Sequence, residues 1–199
     1  MEQQLTNVRY DKALVEAAQL PKEIQELLLH SGLPQFRLAG EYMLGVHFTP
    51  LTDQGLVRTP DELVTLFPIG YEWEDPSTLF GLEEEIGTLY RLDGQTGEYS
   101  VVNTNLSLFL AFLHHYISFI HEHSRTSEPS VMTLEQVQAK LEAFRRGEIK
   151  PTAQPSSDSV RKNALHQLRQ FCTEKDPVSV SDEESWWSVV LEQLEDDLL

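Results

Sequence analysis

Apolar positions along this chain change period twice, and the changes set helical ends around a β-rich centre. Ala13, Leu14, Ala17 and Ala18 recur at helical spacing behind Asp11, whose short carboxylate can accept from the first unpaired amides of a helix. Pro21 suits the first turn of a second helix, with Ile24, Leu27 and Leu28 on one face; Gly32 and Pro34 end it. From Phe36 to Tyr71 the texture becomes short runs of Val, Leu, Phe and Tyr, broken by Gly40, Pro50, Gly55 and Pro60, which predicts strands.

The most constrained stretch runs from Gly81 to Tyr116. Ile86, Thr88, Tyr90 and Leu92 alternate with Gly87, Leu89 and Arg91. Asp93-Gly94-Gln95-Thr96-Gly97 then supplies two glycines for positive φ, and Glu98 to Val102 returns as a β-branched strand. Asn103, Thr104 and Asn105 offer capping side chains to a helix on which Leu106, Phe109, Leu113, Tyr116 and Ile120 share one face, widened by Phe112 and Ile117. Thr133 and Gln136 form a capping-box pattern for a helix ending at Arg145-Arg146-Gly147. Residues 150–158 read as a Pro/Ser-rich mobile connector, and Ser159 to Thr173 as another helix. A second capping-box pattern, Ser181 and Glu184, opens a terminal helix lined by Trp187, Val190, Leu191, Leu194 and Leu198. A β middle between α ends predicts a single α+β domain over 1–199, with a central, mostly antiparallel sheet flanked by N- and C-terminal helices.

Composition narrows the setting. The chain is 40% apolar and 24% charged, ordinary for a soluble globular domain. Its longest apolar run, within Leu106 to Ile120, is interrupted by Ser107, His114, His115 and Ser118, so no membrane span is expected. The N-terminus lacks the basic start and apolar core of a secretory signal, and Cys172 is the sole cysteine; both point to the cytoplasm. The net charge of −17 is localised, with eight acids against one base between residues 71 and 105. Such a surface repels a phosphate backbone and argues against a nucleic-acid partner, whereas a basic protein is a natural one. Acidity that merely keeps the protein soluble is the alternative.

Candidate chemistry is sparse. His114, His115, His121 and His123 crowd ten residues beside Glu122, yet no i,i+4 pair and no H-E-x-x-H motif is present. A solvated helix face, with His115 paired to Glu122, accounts for them. Cys172 has Arg169 and Lys175 a turn away but no nearby base, which fits an inert thiol. No nucleophile elbow, phosphate loop or dinucleotide fingerprint occurs, so no catalytic, cofactor-binding or metal residue is assigned and no cofactor is expected. The remaining constellation is acidic: Glu72, Glu74, Asp75, Glu83, Glu84 and Glu85, interleaved with Tyr71, Trp73 and Phe80. Tyr71 and Trp73 with those six acids fit a hot spot facing a basic partner; core aromatics beside a solvated charge run fit the same letters, and the 12-residue calcium loop is missing.

The order of these motifs resembles the SUKH superfamily, in particular its fourth subfamily of bacterial immunity proteins. Asp93, Thr96 and Gly97 match the family's turn, Asn103 its helix cap, and Leu106, Phe109 and Leu113 the helix. Gly32-Leu33-Pro34 and Ser185-Trp186-Trp187 agree near either end; Thr104 and Asn105 depart from expected serines, and Asp196-Asp197 stands where a glycine often precedes the final leucines. The resemblance implies a non-enzymatic immunity protein of a polymorphic toxin system, binding a cognate toxin for which a nuclease or deaminase fits. A regulatory or scaffolding module is the second reading, and an uncharacterised enzyme the third.

Overall fold

The computed structural model describes residues 6–35, 44–51, 53, 55–73, 75–123 and 157–199. The expected helix at 133–147 and most of the 150–158 connector lie outside the described residues. A two-stranded antiparallel ribbon, β1 (Thr6–Val8) with β2 (Leu33–Gln35), frames two short helices, α1 (Lys12–Ala17) and α2 (Lys22–Glu26). Asp11 caps α1, its Oδ1 accepting from Ala13 N at 2.8 Å and Leu14 N at 3.3 Å. The main sheet follows: β3 (Val46–Phe48), β4 (Val57–Arg58), β5 (Thr65–Glu72), β6 (Asp75–Glu83), β7 (Leu89–Asp93) and β8 (Tyr99–Asn103). β3 and β4 both pair with β5, which leads through β6 and β7 to β8, every neighbour antiparallel. Among the described residues three longer helices follow: α3 (Leu106–His123), α4 (Ser157–Lys175) and α5 (Trp186–Glu195). The architecture is α+β, as the alternation of textures predicts.

The β7–β8 turn explains its own sequence. Asp93 Oδ1 accepts from Gln95 N at 2.8 Å and Thr96 N at 3.1 Å, Thr96 Oγ1 accepts from Glu98 N, and Gly97 takes φ +76°. Only Gly97 supplies the positive φ expected of both glycines. Gly94 is small for a different reason, because a Cβ there would stand 2.7 Å from the Ser77 carbonyl oxygen. The first strand of this hairpin starts at Leu89, later than the alternation from Ile86 suggests; Ile86 is exposed in the preceding turn.

One core joins the sheet's inner face (Phe67, Ile69, Phe80, Leu82, Leu89, Val102) to Leu106, Phe109, Phe112, Leu113 and Tyr116 of α3 and to Leu165, Leu168 and Cys172 of α4. Each such large side chain contributes about 1.5–3 kcal/mol on burial. Trp187, Val190, Leu191 and Leu194 of α5 enter the same core. Arg161 locks α4 down, donating to Leu194 O at 2.6 Å, pairing with Asp197 at 3.0 Å and lying over the Phe119 ring. A smaller cluster, Leu66, Leu79 and Leu92, occupies the opposite face, with Val57, Val64, Tyr90 and Tyr99 packed on it. Tyr99 Oη donates to Asp61 Oδ2 at 2.6 Å and so ties β8 to the segment after β4.

Two capping expectations are corrected. Of the three residues offered as caps for α3, Asn105 takes the role, its Oδ1 accepting from Leu108 N at 2.9 Å, whereas Asn103, the cap the family resemblance implies, does not. The terminal helix starts after Ser185, because Asp182 forms its own turn (Glu184 N to Asp182 Oδ1, 2.9 Å) and keeps 181–184 out of the helix.

Candidate functional site

Asn103 is turned inward and fully buried, where it connects three parts of the chain. Its Oδ1 accepts from Trp187 Nε1 at 2.8 Å, and its Nδ2 donates to Asp176 Oδ2 at 3.0 Å, an oxygen that also accepts from Thr104 N at 2.8 Å. The network fixes α5 against the end of β8. Trp187 is thereby a core residue, packed on Phe109 and Phe112, while Trp186, set perpendicular to it, reaches the sheet's margin.

At that margin Trp186 Nε1 donates to Glu72 Oε1 at 2.9 Å, and Arg91 Nε donates to Glu72 Oε2 at 2.7 Å. Strand pairing brings Arg91 there: it lies opposite Phe80 on β6 and Ser100 on β8, on the helix-facing side. Glu72 is therefore a half-buried, doubly bonded carboxylate, not a solvated one. Next to it Trp73 adopts φ +54°, the left-handed region that costs a bulky side chain about 1–2 kcal/mol. Its amide donates to the Gly45 carbonyl, and its indole lies so close to Gly45 that a Cβ there would sit 2.5 Å from Cε2. Gly45, itself at φ +68°, is the seat that makes this tryptophan's position possible. Trp73 remains 45% exposed. Between it and α5 opens a cleft of about 270 Å³ whose lining combines apolar Leu44, Trp186 and Val189 with polar Arg91, Ser100, Glu184 and Gln193.

The sequence-read constellation is divided by this geometry. Tyr71 faces away from Glu72 and stacks on His47, ring centroids 5.3 Å apart. Glu74 lies outside the described residues, as does the side chain of Asp75. Glu83, Glu84 and Glu85 stand at the far end of β6, about 26 Å from its start at 3.3 Å per residue. There Glu84 Oε1 accepts from Gln19 N at 3.3 Å, Glu85 N donates to Gln19 O at 2.7 Å, and Glu83 raises the pKa of Tyr90, second to that ring's burial. Arg91, Trp186 and Glu184 were not singled out from sequence as site residues. The signal for Arg91 was present, because it is the one base among eight acids between 71 and 105.

Other candidates resolve differently. His115 packs on Phe171, centroids 3.9 Å apart, and does not pair with Glu122, whose carboxylate lies 3.9 Å from His123 Nε2. Among the described residues no three His, Cys, Asp or Glu side chains converge as a cation site requires, and no helix is long and apolar enough to cross a membrane. Cys172 is fully buried; burial, with a smaller contribution from Asp176, outweighs Arg169 and pushes its thiol up to about 12.

Comparison with curated proteins and with solved structures returned no match. The family model described as SUKH-4 immunity protein matches residues 3–193, nearly the whole chain. That span takes in the Asp93 turn, Trp186, and Asn103 with Trp187, the last two joined by a hydrogen bond. The chain therefore belongs to the SUKH-4 immunity protein family, and membership implies a toxin-neutralising immunity function.

Proposed function

We propose that this chain is a non-enzymatic immunity protein that binds a basic cognate toxin domain, a nuclease or a deaminase, and holds it inactive in the bacterial cytoplasm. The observation that carries the reading is the cleft beside Trp73, a half-exposed indole fixed on Gly45 and sharing the lining with Glu72 and Glu184. Tryptophan is among the side chains that most often dominate a protein interface. The net charge of −17 supplies long-range attraction to a basic partner, to which Glu83, Glu84 and Glu85 contribute from the other end of β6. A phosphate-mimicking acidic surface suits an enzyme cleft that accepts nucleic acid. The buried Cys172, with its raised pKa, holds a negligible thiolate fraction near neutral pH and supports a binding role over turnover. We read 1–199, connector 150–158 included, as one binding unit, since helices from both halves share one core.

Co-expression with a candidate cognate toxin domain tests the proposal. Restored growth together with a stable complex on gel filtration is the expected result. Undiminished toxicity with no complex would count against it, as would a hydrolase activity that follows this protein through purification and is lost in one point variant.

A further inference from the structure

Resting on the reading of the Trp73 cleft as the toxin-facing site, we infer that it receives one arginine side chain of the partner, laid along the indole with its guanidinium toward Glu184. The walls at Leu44, Trp73, Trp186 and Val189 are apolar and suit an aliphatic stem. Inside, Arg91 is held at 2.7 Å by Glu72, whose side chain is only 14% exposed, so these two charges cancel. Glu184 in the lining is left over, and Asp182 and Glu183 are exposed in the same turn. An anionic group entering here would meet repulsion, and a purely apolar one would desolvate carboxylates without pairing them. A cation with a long apolar stem satisfies both parts of the lining.

Arginine fits better than lysine, because a planar guanidinium can stack on an indole and hydrogen-bond a carboxylate in the same pose. Arg91 already shows the hydrogen-bonding part of that chemistry in the lining, its Nε on one oxygen of Glu72 while Trp186 Nε1 holds the other. The left-handed Trp73 backbone and the Gly45 seat fix the receiving ring before binding, which lowers the ordering cost of capture.

The test is an NMR titration of the full chain with N-acetyl-arginine amide, following the Trp73 indole N–H and the backbone amides of Val189 and Gln193. N-acetyl-lysine amide and N-acetyl-norleucine amide serve as comparison probes. The arginine probe should move these signals, bind about three- to fivefold more tightly than the lysine probe, and lose most of that advantage in Glu184→Gln, an exposed change that leaves the fold intact. In Trp73→Ala the Val189 and Gln193 shifts should vanish while the remaining spectrum stays native. No perturbation at the cleft, an equal response to norleucine, or unchanged binding in Glu184→Gln would overturn the inference. Protection against the toxin domain, measured in parallel, separates the two claims. Protection without arginine capture would remove this inference alone, whereas arginine capture without protection would leave the cleft's chemistry standing and remove the toxin reading.

Discussion

Asn103→Ala tests how the cleft's helical wall is held. The side chain serves two buried partners, the Trp187 indole N–H at 2.8 Å and the Asp176 carboxylate at 3.0 Å. Among the described residues no buried side-chain nitrogen or oxygen lacks a partner, so the substitution creates an unsatisfied group where there was none. An indole N–H stranded without an acceptor costs about 1–3 kcal/mol, and loss of a hydrogen bond to a charged group about 1.5–3 kcal/mol. Together the loss is about 3–5 kcal/mol, a large part of the roughly 5–15 kcal/mol that holds a domain folded. At a urea slope of about 2–3 kcal/mol/M, the unfolding midpoint followed by tryptophan fluorescence should fall by about 1–2 M. Trp187→Phe removes the donor that Asn103 satisfies, so the double variant should cost less than the two single changes added, by about 1 kcal/mol. A midpoint within about 0.3 M of the parent at unchanged slope, or strict additivity in the double variant, would refute the role assigned to Asn103.

Other outcomes follow from the same structure. Truncation before Ser181 removes Trp186, Trp187, Val190, Leu191 and Leu194 from the core and should give insoluble or loosened protein; unchanged solubility and melting temperature would contradict this. Gly45→Ala places a Cβ 2.5 Å from the Trp73 ring at φ +68°, so it should displace the indole, shift the tryptophan emission and cost about 1–3 kcal/mol in urea unfolding. Burial first, and His114 second, hold the His115 pKa below its ordinary 6.5, so the unfolded chain takes up that proton first as pH falls. Stability resting on neutral His115 is complete above about pH 6.5 and declines as pH falls below it; His115→Gln should therefore flatten that decline on the acid side of about pH 6.5, measured as melting temperature against pH.

What could be read from sequence was what neighbours in sequence decide. Asp93 and Gly97 build their turn within six residues, and the apolar arc of α3 needs only helical spacing to declare itself. Asn103 was misassigned as a cap because its partners lie 73 and 84 residues away, and nothing local separates a capping asparagine from an inward one. β1 and β2, three residues each, are too short for alternation to register. The acidic stretch 71–85 looked continuous because sequence adjacency hides extension: a nine-residue strand carries Glu83 away from Glu72. Strand alternation likewise sends Tyr71 to His47 and Glu72 to Arg91. The cleft needed Trp186, 114 residues from Glu72, and that pairing is a property of the fold alone.

Direct toxin binding at the Trp73 cleft is the proposal on which the functional reading rests. Association and dissociation rates with the cognate toxin domain, measured at low and physiological salt for the parent, Trp73→Ala and Glu184→Lys, test it most directly. At a Debye length of about 8 Å in physiological salt, exposed charge acts mainly on encounter and desolvated contact on escape. Glu184→Lys should slow association and weaken its salt dependence, and Trp73→Ala should speed dissociation about tenfold or more, as loss of a hot-spot residue does. Parent-like rates for both variants, in a complex that still neutralises the toxin, would place the interface elsewhere on the molecule.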